Sequence, residues 1–241
     1  MNIINKIVVY TVISGNYDEI KSVKKESNID YICVTDNKDL DVPSCWEKLV
    51  IEDSPYKNHL FNRYYKLNPH VLFNNHDFSL YIDANIQVSN LIKDNLKDNA
   101  FCLYEHPDRS TVKDEVKVLK KVGYDYFFVF NKQTRKYIKS GFIDEILFEA
   151  NILFRRHNEI TEFSKLWFAE LSNKEQVSRD QLSLTYSAQV SGLSLKSLGT
   201  HDARVTNKYF CYHNHLKRNP AMRYSVRFIN ILAKLILIDR M

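Results

Sequence analysis

The run Ser79-Leu80-Tyr81-Ile82-Asp83-Ala84-Asn85 joins an apolar segment to two oxygen-bearing side chains. Leu80, Tyr81 and Ile82 favour extended backbone, so Phe78 to Ile82 reads as a buried strand. Asp83 and Asn85 lie two apart. On an extended segment their side chains point the same way and offer oxygens to one hard cation. A polar strand end, with Asp83 capping a turn, is the competing structural role.

Outward from this run, strand and helix alternate. Lys6 to Ser14 is rich in β-branched residues and stops at Gly15-Asn16; Asp30 to Thr35 stops at Asp36-Asn37. Both read as strands ending in turns. Between them, Tyr17 to Glu26 is expected to be a short helix. A short strand is expected near Lys48 to Ile51, and a helix over Asn58 to Phe73 that Pro69 breaks or ends. Further strands are expected at Ala100 to Glu105 and Glu149 to Arg155, and helices at Val112 to Val122, Asn158 to Ser172 and Arg179 to Val190. That alternation predicts a three-layer α/β domain. The domain is expected to occupy residues 1–218, with residues 219–241 as an appended helix.

The bulk properties fit one such domain. The chain has 241 residues, 44% hydrophobic and 26% charged, with 15 Tyr and 14 Phe. The net charge of +5 is spread along the chain, which argues against nucleic acid and allows an anionic ligand or membrane surface. Cys33, Cys45, Cys102 and Cys211 show neither CxxC spacing nor a disulfide framework, pointing to a reducing compartment. The apolar run Ile7 to Ile13 lacks the features of a signal peptide, and no stretch is long enough to span a bilayer.

The five glycines (Gly15, Gly123, Gly141, Gly192, Gly199) form neither GxGxxG nor GxxxxGK[ST]. There is no GxSxG elbow and no HExxH. A phosphorylated ligand must then be held by a metal or by basic side chains. Arg63 and Lys66 lie three apart on one helical face, a basic pair suited to a diphosphate or to solvent. Asp180-Gln181 opens a helix, where a carboxylate either satisfies free amides or serves a site.

Arg63 to Pro69 followed by Leu80-Tyr81-Ile82-Asp83-Ala84-Asn85 is similar to the signature of GT-A glycosyltransferases of the glycogenin type. More closely, the chain resembles the glycosyltransferase-like family of plant mucilage and pectin synthesis and of bacterial surface-polysaccharide clusters. Val9-Tyr10-Thr11 with Gly15-Asn16-Tyr17-Asp18, Asp30 to Asp36, Asn62-Arg63 with Lys66, Pro69-His70 and Ser79 to Ile86 carry this resemblance. So do His106 with Arg109, Glu149-Ala150-Asn151, Arg155 to Asn158, and Arg179 to Ser183.

The resemblance implies a GT-A, Rossmann-like mixed sheet flanked by helices, with donor-binding roles for Thr11, Asp36, Arg63, Lys66 and Asp83. Asp83 and Asn85 would hold manganese or magnesium, although Asn85 is a weaker ligand than Asp. Asp180 and Gln181 would be catalytic; His106, Arg109, Glu149 and Asn151 would meet the acceptor or sugar. The segment Tyr212 to Lys217 offers a third metal ligand, His213 or its neighbour His215, and Lys217 for a phosphate. The implied activity is transfer of a sugar from a nucleotide-sugar, a UDP-sugar, to a cell-surface polysaccharide or lipid-linked glycan, with retention of configuration. A nucleotidyltransferase is a competing enzyme class, and a catalytically degenerate glycan-binding or scaffolding protein is the non-enzyme reading.

Asn219 to Met241 is basic and strongly apolar, a helix that lies on an anionic membrane or packs on protein. With the composition, this leads us to expect a bacterial cytoplasmic enzyme, peripheral at the inner face of the cell membrane.

Overall fold

A computed structural model describes residues 6–90, 99–200, 208–214 and 221–236. In chain order, strands β1 (Ile7–Ile13), β2 (Ile29–Thr35) and β3 (Glu47–Val50) precede helices α1 (Asn58–Leu67) and α2 (Pro69–Leu72). Then come β4 (Phe78–Ile82), β5 (Ile86–Val88), β6 (Phe101–Glu105), α3 (Val112–Val122), α4 (Phe127–Lys139) and β7 (Phe148–Arg156). A short 3-10 turn, His157–Glu159, leads to α5 (Thr161–Ser172), α6 (Asp180–Ser191), β8 (Leu195–Ser197), β9 (Phe210–Tyr212) and α7 (Ala221–Leu235).

Among the described residues, seven strands form a mixed sheet in the order β3-β2-β1-β4-β7-β6-β8. β7 runs antiparallel to both of its neighbours, and the other pairings are parallel. This is the expected Rossmann-like mixed sheet. The chain moves outward from β1 to β3 and then returns to pair β4 with the other side of β1. That reversal opens a crevice beyond the carboxyl ends of the strands, where Asp83 follows β4.

The central strands are buried on both faces, which is why they read as continuous apolar runs. Tyr10, Tyr81, Phe101 and Leu153 face Phe61 and Tyr65 of α1, Phe163 and Trp167 of α5, and Leu184 of α6. Val9, Tyr31, Leu80 and Ile82 face Ile20, Val23, Trp46 and the small sheet that β5 forms with β9. A third apolar cluster joins Val116 and Leu119 of α3, Phe130 of α4 and Leu182 of α6.

Most expected elements are present, and Pro69 does separate α1 from α2. The helix expected over Tyr17 to Glu26 is absent. Asp18, Ile20 and Val23 turn inward along an irregular, extended path instead. Trp46 Nε1 donates to the Lys21 carbonyl at 2.8 Å, and the Val23 amide meets Cys45 Sγ, so these backbone groups find partners outside any helical ladder. Helix α4 was not expected. Its start, Phe127-Phe128-Val129-Phe130, has strand-forming composition, and its inward face includes Asn131 and Gln133. Those polar groups are satisfied by Lys120 Nζ, the Tyr137 hydroxyl and the Val177 amide.

The terminal helix α7 packs on α3 through Val226, Asn230 and Ala233. Asn230 Oδ1 accepts from the Phe127 amide at 2.8 Å, while its Nδ2 donates to the Lys120 and Asp125 carbonyls. Gly123, the left-handed C-cap of α3 at φ 69°, lies directly beneath α7. A Cβ there would stand 2.2 Å from the Arg223 carbonyl oxygen, so glycine is required twice over. Among the described residues, no helix is long and apolar enough to cross a membrane.

Candidate active site

The segment after β4 meets α1 and α6 in a polar cavity of about 160 Å³. Of its lining, Arg63, Lys66, Asp83, Asn85, Glu149, Asn151, Asp180 and Gln181 were expected to serve one site, although they span more than a hundred positions of chain. A wider, open groove of about 780 Å³ lies along α4. Its Lys132 and Lys136 are paired with Glu175 and Glu170, and none of the expected residues borders it. The smaller cavity holds the convergent charges and is the candidate site.

The backbone at the end of α1 is fixed from below. The Tyr10 hydroxyl and Arg155 Nη1 both donate to the Lys66 carbonyl at 2.7 Å. Asn62 Nδ2 ties the same helix to the Val12 carbonyl on β1 at 2.6 Å. With its backbone held, Lys66 directs Nζ to Asp180 Oδ2 at 2.7 Å and to Asp83 Oδ1 at 3.3 Å. The ammonium also lies 4.8 Å from the Tyr81 ring centroid. Arg63, one turn earlier, places Nε 2.9 Å from Asp180 Oδ1. The basic pair read from the i, i+3 spacing thus grips one carboxylate from both sides.

Asp180 sits in the first turn of α6, and Trp167 Nε1 donates to its carbonyl at 3.1 Å. Burial works to raise its pKa, but the charges of Arg63 and then Lys66 outweigh burial and hold the carboxyl well below the usual range. Burial likewise opposes the charge on Arg63, and Asp180 and Asp83 overcome it, raising the guanidinium above its ordinary value. Burial and then the adjacent Asp83 push the Tyr81 phenol far up. It remains a donor to Asp83 Oδ1 at 2.8 Å.

A second network lies beside Asp180. Gln181 Nε2 donates to Glu149 Oε2 at 2.6 Å, and Glu149 Oε1 is 3.2 Å from His106 Nε2. Arg109 contacts both His106 and Glu115, and Glu115 also pairs with Arg179 at 3.3 Å. Glu149 and Asn151 come from β7, whereas His106 and Arg109 stand behind Glu149 and do not line the cavity. Two buried acceptors of the lining, Asn151 Oδ1 and Gln181 Oε1, have no hydrogen-bond partner among the described residues.

After Asp83 the chain turns, with the Ile86 amide donating to the Asp83 carbonyl at 2.9 Å, so Asp83 and Asn85 are not on one extended strand. Asn85 Nδ2 donates to the His213 carbonyl at 2.7 Å, joining this turn to β9. The His213 ring nitrogen Nε2 lies 3.4 Å from Gln87 Oε1, and the ring does not line the cavity. Lys217 and His215 fall outside the described residues.

Thr11 and Asp36 do not line the cavity either. Thr11 is fully buried in β1, and Asp36 accepts from Ser14 Oγ at 2.6 Å and from the Gly15 amide at 2.7 Å. Arg179 and Tyr212 were not assigned from sequence, yet both line the cavity. Arg179 directly precedes Asp180 and could have been read as its companion; nothing local marks Tyr212.

Residues 1–200 match the TOD1/MUCI70, glycosyltransferase-like domain. The chain belongs to this family. Among curated proteins, none matches the chain. The TOD1/MUCI70 domain covers every described element from β1 to β8, including each residue that lines the cavity except Tyr212. Membership supports a glycosyltransferase-type function, which implies a sugar donor and an acceptor as substrates. It agrees with the family resemblance carried by the sequence motifs.

Proposed function

We propose that the cavity transfers a sugar from a UDP-sugar to a cell-surface polysaccharide or lipid-linked glycan, with retention of configuration. The observation that carries this reading is the convergence of Arg63 and Lys66 on a buried, ionised Asp180, with Arg179 lining the same cavity. The three cations suit a diphosphate leaving group, whose negative charge grows as the glycosidic bond to phosphate breaks. Asn151 Oδ1 and Gln181 Oε1, without a partner among the described residues, suit sugar hydroxyls, which donate hydrogen bonds.

Asp180, held as a carboxylate, can stabilise positive charge on an oxocarbenium-like sugar and orient the acceptor hydroxyl. Its acidity makes it a poor proton acceptor. The carboxylates of Asp83 and Glu149 are also engaged, by Lys66 with Tyr81 and by Gln181. The acceptor proton is therefore assigned to the departing diphosphate, on the face where the new bond forms, which favours retention.

Asp83 supplies one carboxylate and Asn85 one amide, fewer oxygens than magnesium or manganese takes, so this donor set fits such a cation only when phosphate and water complete it. Bound there, the cation would add to the neutralisation of the diphosphate. Among the described residues, no cluster of three or more His, Cys, Asp or Glu side chains could hold a metal by itself.

The test is a panel of nucleotide-sugars incubated with the protein and manganese, followed by calorimetry and product analysis. Binding of a UDP-sugar, with turnover lost in Asp180→Ala and Asp83→Ala, supports the reading. Absence of donor binding, or turnover unaffected by both variants, defeats it. Donor binding without turnover under all acceptors would favour a glycan-binding or scaffolding role.

A further inference from the structure

Helix α7 presents its larger apolar side chains to the outside. The inward face consists of Val226, Asn230 and Ala233, whereas Tyr224 is 66% exposed, Phe228 62% and Leu235 72%. Ile231 and Leu232 are exposed on the same outward arc, and Ile236 is exposed just past the helix end. A helix serving only to cover the domain would turn these residues inward.

Charge distinguishes what can cover that face. Arg223, Arg227 and Lys234 fall within an arc of roughly 40° along one flank of α7. The helix contains no Asp or Glu. A second copy of α7 laid on the first would bring like charges together without a counter-charge on either helix. Anionic headgroups would pair with the basic flank while acyl chains receive Phe228 and Leu235. With 15 residues the helix is about 22 Å long, too short for a hydrocarbon core of about 30 Å, so it lies in the plane of the surface.

We infer that α7 is an interfacial membrane helix whose exposed apolar arc enters an anionic lipid surface. Its hold on the domain is independent of that arc, because Asn230 and the close approach at Gly123 are on the opposite side. Arg223 also lies over the Tyr124 ring at 5.8 Å, and cavity-lining Arg179 lies over the same ring at 5.9 Å. The candidate active site is thus one aromatic ring away from the helix that meets the lipid.

The test uses the full chain with vesicles of phosphatidylcholine, with or without phosphatidylglycerol, and sedimentation. The protein is expected to pellet with the anionic vesicles and not with the neutral ones, less so as salt is raised. The double variant Phe228→Ser/Leu235→Ser, folded by circular dichroism, is expected to lose at least about tenfold in vesicle affinity. Absence of pelleting overturns the inference, as does a double variant that pellets like the parent. A lipid-free dimer in analytical ultracentrifugation that the same variant splits would instead assign the face to a second copy.

Discussion

The Lys66 ammonium stands between two carboxylates, 2.7 Å from Asp180 and 3.3 Å from Asp83, and so joins the turn after β4 to the first turn of α6. Asp180 in turn occupies both Lys66 and Arg63. Asp180→Asn releases these cations for a diphosphate while removing the charge that faces the sugar. The variant is expected to bind UDP at least as tightly as the parent and to transfer sugar about a hundredfold more slowly or worse. Calorimetry beside a turnover assay checks the pair of effects, and weaker UDP binding would contradict the arrangement.

Glu149→Gln keeps the size of the side chain and removes the charge between Gln181 and His106. A glutamine has one acceptor oxygen where the carboxylate offers two, so it cannot accept from Gln181 and face His106 with an oxygen at once, and Gln181 is held less firmly. A drop of about tenfold to a hundredfold in kcat, with KM nearly unchanged, is expected from a residue that positions Gln181. Steady-state kinetics over a range of donor concentrations separates the two constants.

Chelation tests the role of Asp83. EDTA is expected to weaken nucleotide binding by the parent protein and to change nothing further in Asp83→Asn. An equal loss in both proteins would place any metal elsewhere. Titration of each protein with UDP, before and after EDTA, is sufficient.

His157 provides a pH signature separate from the site. Burial, and then Arg155, lower its pKa to about 4, and its Nδ1 lies 3.2 Å from the Phe73 carbonyl. The folded form therefore resists protonation that the unfolded chain accepts below about pH 6.5. Stability from this group is complete above that pH and is lost as pH falls toward 4, up to about 3 kcal/mol. Denaturant melts of the parent and His157→Gln between about pH 7 and about pH 4 are expected to converge toward the acid end.

Asn230→Ala removes hydrogen bonds to the Phe127 amide and to the Lys120 and Asp125 carbonyls. A loss of about 2 kcal/mol or more is expected, concentrated in α7, because buried groups on α3 and α4 lose their partners. Limited proteolysis should cleave near α7 well before the sheet, whereas the parent resists.

The sheet was legible because β1, β2, β4 and β7 are largely buried on both faces and each carries a short apolar stretch, such as Ile152-Leu153-Phe154 in β7. Helix α4 was not, since Phe127 to Phe130 favours strand and Asn131 and Gln133 interrupt its inward face. The segment after Gly15 misled for the opposite reason: its inward residues are fixed by Trp46 and Cys45, partners distant in sequence. At the site, the Arg63–Lys66 spacing showed a shared helix face, but nothing local shows that both would grip a carboxylate more than a hundred residues away. Asp36 carries the right chemistry at a strand end, yet its oxygens are used by Ser14 and Gly15.

The ring of Tyr124 is shared by Arg179, which lines the cavity, and by Arg223 of the terminal helix. If a bound diphosphate draws Arg179 off the ring and the seating of α7 changes with it, linkage requires the influence to run equally in reverse. A lipid surface that reorients α7 would then alter donor affinity by the same factor by which donor alters attachment. On the inferred lipid-facing role of α7, donor binding and lipid attachment would be coupled through a single aromatic side chain.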